Sequence, residues 1–157
     1  MAEEYDELRR RCARRYLEHV RGLGDKAAAL REEIDMQRQA MQPGAIGYEG
    51  AGGKGCAYAD AIPDGVARIG DMAARYAEQM RDYLDQAAEA HEVLHSLDDS
   101  KATALLTRRY VLGQTWGEIA GAMGYSVAWA YRVHDAALLD VYETMPHAWR
   151  IPRQPAI

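Results

Sequence analysis

The chain has 157 residues, 19 Lys and Arg against 24 Asp and Glu, and a formal net charge of −5 at pH 7. That length supplies one domain, or a small domain with an extension, and enough residues to bury a helical core. The acidic balance excludes nucleic-acid binding by bulk electrostatics alone.

Residues 1–42 carry nine basic and nine acidic side chains, residues 43–97 four and nine, and residues 98–157 six of each, so the middle holds the whole acidic excess. No apolar run reaches the length of a signal-peptide core or a membrane span. Cys12 and Cys56 form neither a C-x-x-C motif nor a disulfide framework, and are expected to be reduced thiols of a cytoplasmic protein.

Residues 2–41 are helix-permissive, with Tyr5, Leu8, Cys12, Tyr16, Val20, Leu23, Ala27, Leu30, Ile34 and Met41 mostly stepping by three and four along one face. Gly22 and Gly24 each weaken a helix by about 1 kcal/mol relative to Ala, and Asp25 is placed to cap a restart. A single bent helix is expected. Arg9, Arg10, Arg11, Arg14 and Arg15 form the dense basic cluster of the chain. Flanked by Glu3, Glu4, Asp6, Glu7 and Glu18 at helical spacing, it reads as a solvated face rather than a phosphate-contacting patch.

Residues 42–63 read as a loop with six glycines, bordered by Pro43 and Pro63. The run from Gly50 to Gly55 looks like a phosphate-binding loop but lacks the G-K-[ST] ending and a preceding buried strand. A second long helix is expected from an N-cap at Asp64 to about Leu97. Val66, Ile69, Ala73, Tyr76, Met80, Tyr83, Ala87, Ala90, Leu94 and Leu97 step along it as a heptad seam. Two long helices joined by one loop fold most simply into a coiled-coil-like antiparallel hairpin, with homo-oligomerisation through its exposed sides as the alternative.

His91-Glu-Val-Leu-His95 fits H-E-x-x-H, in which two imidazoles one turn apart bind zinc and the Glu acts as general base. No third histidine follows at metalloprotease spacing, and no strand shapes a substrate cleft. The expectation is therefore no cofactor, no catalytic residue and no enzyme.

Residues 98–145 divide into three short helical patterns. Asp99 and Ser100 precede a run to Tyr110 that Gly113 stops; Thr115 and Glu118 are spaced as a capping box; Gly124 suits a tight turn; and Ser126 caps a helix that Pro146 ends. Ile119 and Met123 should face inward, with Val133, Ala137 and Val141 continuing the buried stripe and Ala120 small where the helices cross. Short helix, glycine turn and capped longer helix are the parts of a helix-turn-helix.

Arg108-Arg-Tyr110, Thr115-Trp-Gly-Glu-Ile-Ala120, Met123-Gly-Tyr-Ser126 and Tyr131-Arg-Val-His134 resemble region 4 of sigma-70-type transcription factors. More closely, this stretch resembles small phage-encoded transcriptional regulators in which a helical hairpin precedes one such region. The resemblance implies an all-α protein: a hairpin over residues 1–97 with its Gly-rich loop at 43–63, a helix-turn-helix over 98–145, and a tail over 146–157.

It also implies an accessory activator that binds double-stranded DNA and partners RNA polymerase, since the chain has no room for a promoter-melting region. Base edges would be met by Val127, Ala128, Trp129, Tyr131 and Arg132, and phosphates by Thr115, Ser126, Lys101, Arg108 or Arg109. The chain departs from the family where charged or amide side chains usually begin the recognition helix. Val127, Ala128 and Trp129 permit contact with thymine methyl groups but no bidentate base reading. A phage DNA-packaging subunit resembling small terminases is the alternative, its hairpin oligomerising and its helix-turn-helix gripping DNA. In the tail, Trp149 and Ile151 either dock on the domain or fray with it.

Overall fold

The computed structural model describes residues 1–41 and 57–151, and among them every element is helical. Two 39-residue helices, α1 (Ala2–Ala40) and α2 (Ala57–His95), pack antiparallel. Shorter helices follow: α3 (Ser100–Leu106), running on into a π-helical turn (Thr107–Val111), then α4 (Trp116–Met123) and α5 (Val127–Thr144). A 3₁₀ turn, His147–Trp149, closes the described chain. No helix among the described residues is long and apolar enough to cross a membrane. The Gly-rich stretch at 42–56, Cys56 within it, and residues 152–157 lie outside the described residues.

The helix α1 continues through Gly22 and Gly24 without a break. The start of α2 differs from the expected cap at Asp64: the helix begins at Ala57 and contains Pro63. A proline in the second turn forfeits one backbone hydrogen bond while its fixed φ remains helical. The helix-permissive residues before it, Ala57, Ala59 and Ala61 among them, carry the extra turns.

The chain forms two compact units, Leu23–Tyr83 and Met1–Gly22 with Leu84–Ile157. In the first, Ala27 and Ile34 of α1 are buried. Gly24 has a packing reason: a Cβ there would stand 3.0 Å from Tyr83 Cε2, so the aromatic ring occupies the space a side chain would need. Val66, expected in the seam, is 58% exposed. A strict heptad drifts by about 20° per repeat around a straight helix, which carries Val66 off the face that Leu94 buries at the other end.

The second unit holds the larger core. Ala13, Tyr16, Leu17 and Val20 of α1 and Ala90, Val93 and Leu94 of α2 enclose Ala102, Leu105 and Leu106 of α3, Ile119 of α4, and Ala137, Leu138 and Val141 of α5. Met145, just before Pro146, completes it. Tyr5 and Leu8, at the start of α1, are exposed. Burial pushes the Tyr16 phenol up to about 12, with Glu89 adding to the effect.

The basic cluster of α1 takes partners both near and far. Arg9 pairs with Asp6 and Arg10 with Glu7, at the helical spacing expected, but Arg9 also pairs with Glu143 and Arg14 with Asp135. Arg10 Nε donates to the Asp135 carbonyl at 3.3 Å. These guanidinium groups therefore join α1 to α5. The start of the tail docks: Trp149 packs on Tyr16 and His19, and Ile151 N–H donates to the Tyr142 hydroxyl at 3.2 Å. Arg150 donates to the Met145 and Glu143 carbonyls, satisfying acceptors at the end of α5.

Candidate functional site

Local capping sets the geometry from Thr115 to Met145. The Thr115 backbone N–H donates to Glu118 Oε2 at 2.7 Å while the Glu118 N–H donates to Thr115 Oγ1 at 3.3 Å, closing the capping box. These bonds stabilise the charged carboxylate, with the Thr115 backbone N–H foremost, and hold the Glu118 pKa below its ordinary value. After Met123 the chain turns at Gly124, φ +73°, in the left-handed region that a Cβ disfavours. Two residues later Ser126 Oγ accepts from the Trp129 N–H at 3.1 Å and starts α5.

The buried stripe follows the expected pattern. Ile119 and Ala120 of α4 and Ala130, His134, Ala137, Leu138 and Val141 of α5 are buried, with Met123 and Val133 packed against them. The outward face at the start of α5 carries Ser126, Val127, Ala128, Tyr131 and Arg132, all exposed. Val127 is 41% exposed and Tyr131 47%. Trp129 turns partly into the core and stacks on Tyr125 with ring centroids 3.8 Å apart, so it lies beside that face rather than on it.

Thr115 and Lys101 are exposed, Lys101 Nζ standing 5.3 Å from the Tyr125 ring centroid. Its pKa is raised, chiefly by a hydrogen bond with Tyr125. Arg108 and Arg109 are half-buried and both fold onto Gln114, Arg108 through the side-chain amide at 3.2 Å and Arg109 through the carbonyl at 3.0 Å.

The π-helical turn was not anticipated from the sequence. Its defining bond runs from the Leu112 N–H to the Thr107 carbonyl at 3.0 Å, so one turn holds an extra residue. Tyr110, in that turn, directs its hydroxyl to His134 Nε2 of α5 at 2.8 Å. The His134 ring lies edge-on to Trp116, 4.9 Å between centroids, and Trp116 sits between Arg109 and Tyr131. No sequence motif announces the Tyr110–His134 pair; the resemblance to sigma-70 region 4 spans both residues without assigning them a role.

Burial draws the His134 pKa below 6.5, with Arg14 and Arg109 acting in the same direction and Asp135, on its other ring nitrogen, opposing. Burial also raises the Tyr110 phenol to about 12. Because the folded pKa of His134 is depressed, only the unfolded chain takes up its proton just below about pH 6.5. The stability that His134 contributes is present above that pH and is lost as pH falls toward the folded pKa. The melting temperature should therefore fall between about pH 7 and pH 5.5, and fall less in His134→Gln. Equal slopes in the two proteins would refute a neutral buried imidazole.

His91 and His95 are exposed on the last turns of α2, ring centroids 4.1 Å apart. Among the described residues, no group of three or more His, Cys, Asp and Glu side chains is arranged to hold a metal ion. Comparisons with protein-family models, curated proteins and solved structures found no match for this chain.

Proposed function

We propose that the chain is a DNA-binding transcriptional regulator of phage or prophage type, in which α5 enters the major groove and α4 lies across the backbone. The single observation that carries this reading is the exposed first turn and a half of α5, held by the Ser126 cap and the Gly124 turn against a short capped helix. That is the form in which helix-turn-helix proteins present side chains to base edges. The resemblance of residues 108–134 to sigma-70 region 4 supports the same placement, with RNA polymerase as partner and accessory activation as the role.

In this reading Arg132 and the Tyr131 hydroxyl supply polar base contacts, and Val127 and Ala128 meet thymine methyl groups. Thr115, Ser126, Lys101 and Arg108 face phosphates. Because residues 98–157 are charge-neutral overall, intrinsic affinity is modest, and it falls with salt in proportion to the few phosphates contacted. Arg132→Ala should weaken binding to a selected duplex by about tenfold, measured by fluorescence anisotropy across a salt series. Unchanged affinity for the variant would remove Arg132 from the interface; no binding by the wild type at low salt would end the regulator reading.

A further inference from the structure

Beside the first turns of α5 lies a cavity of about 320 Å³ that three guanidinium groups share. Arg14 and Arg21 stand seven residues apart on α1, two turns along one face, and Arg109 enters from the π-helical turn. Tyr131, half exposed, is among the lining residues, so the cavity adjoins the outward face of α5.

The arginines act on one place. Arg14, Arg109 and Arg21 each oppose the rise that burial imposes on the Tyr110 phenol. Two carboxylates, Glu18 and Asp135, also line the cavity, beside His134, whose neutral form burial favours.

Two of these guanidinium groups, those of Arg109 and Arg14, are held by neighbours. Arg109 is fixed by its bond to the Gln114 carbonyl at 3.0 Å and by Trp116, whose ring centroid lies 4.7 Å from its Cζ. Arg14 holds Asp135 at 3.6 Å, longer than the ~2.7–2.9 Å of a charge-assisted hydrogen bond. A guanidinium carries five N–H donors in a planar fork suited to tetrahedral oxyanions. The loose pair leaves Arg14 donors to spare.

We propose that this cavity is a phosphate-binding site in which Arg14 and Arg21 of α1 act together with Arg109. The phosphate belongs either to the backbone of duplex DNA lying along α5 or to a free phosphomonoester. The first source rests on the regulator reading above; the second does not. Either way α1, remote in sequence from the helix-turn-helix, contributes directly to ligand binding.

The test compares wild type with Arg14→Gln/Arg21→Gln in the full chain, using Arg21→Gln alone if the double variant does not fold by circular dichroism. One arm measures duplex binding against salt. Loss of phosphate contacts should flatten the slope of log K against log salt by about 0.9 per contact. The other arm titrates inorganic phosphate and AMP at millimolar concentration by calorimetry. A flatter slope in the variant supports the site with DNA as its source; saturable phosphate or AMP binding lost in the variant supports it with a free anion. An unchanged slope together with no variant-sensitive phosphate or AMP binding overturns it. Failure of wild type to bind DNA ends the regulator reading alone, and the anion titration then decides the site.

Discussion

A fragment comprising residues 98–157 is expected to be largely unfolded in isolation, although it contains the whole helix-turn-helix pattern. Its hydrophobic surface is completed by α1 and α2: Tyr16, Leu17 and Val20 from one and Val93 and Leu94 from the other are buried in the same cluster as Leu105, Leu106, Ile119 and Leu138. At about 1.5–3 kcal/mol for each fully buried large apolar side chain, those five account for on the order of 10 kcal/mol. That is comparable with the ~5–15 kcal/mol net stability of an ordinary domain. The fragment also forfeits the Arg14–Asp135 and Arg9–Glu143 pairs. Circular dichroism and amide-proton dispersion check the outcome. A fragment that melts cooperatively near the temperature of the full chain would show that the helices after residue 97 stand alone.

The second large effect is expected at Leu138, 0% exposed on the inner face of α5. Truncation to Ala removes buried methyl groups and leaves a cavity between helices that relax only partly, a loss of about 2–5 kcal/mol. Leu84 on α2 is chemically the same residue but 57% exposed. Its replacement by Ala should stay within about 0.5 kcal/mol. Urea unfolding of the two variants, read at constant m-value, gives the comparison directly. Equal destabilisation would mean that the burial pattern of this core is wrong.

The two leucines also show what could be read from the sequence. Caps were legible because each rests on residues within four positions: Asp99 with the Lys101 and Ala102 N–H groups, Thr115 with Glu118, Ser126 with Trp129, and Gly124 at a positive φ. The stripe from Ile119 through Val133, Ala137 and Val141 followed from helical period alone. The same period placed Val66 in a seam it does not join, because stepping by three and four does not encode the slow rotation of the stripe over a long helix.

The cavity beside α5 was illegible for a different reason. Arg14 meets Asp135 across more than a hundred residues, and the local acids around Arg14 gave a sufficient reason for its charge. The π-helical turn at Thr107–Val111 carries no composition signal separating it from the α-helix it extends, yet it contains both Tyr110, the partner of His134, and Arg109, which lines the cavity. Pro63 reads as the border of the Gly-rich loop and instead lies inside α2. Proline ends helices on average, but one lost hydrogen bond in a 39-residue helix is a small local cost.

Entry of α5 into the major groove is tested by an amide chemical-shift titration of the full chain with duplex DNA selected from a random pool. Shifts are expected at Thr115 and Trp116 and from Ser126 to Arg132, with the buried stripe from Ala137 to Val141 unmoved. Shifts confined to other surfaces, with Val127, Ala128 and Arg132 unaffected at saturation, would contradict it.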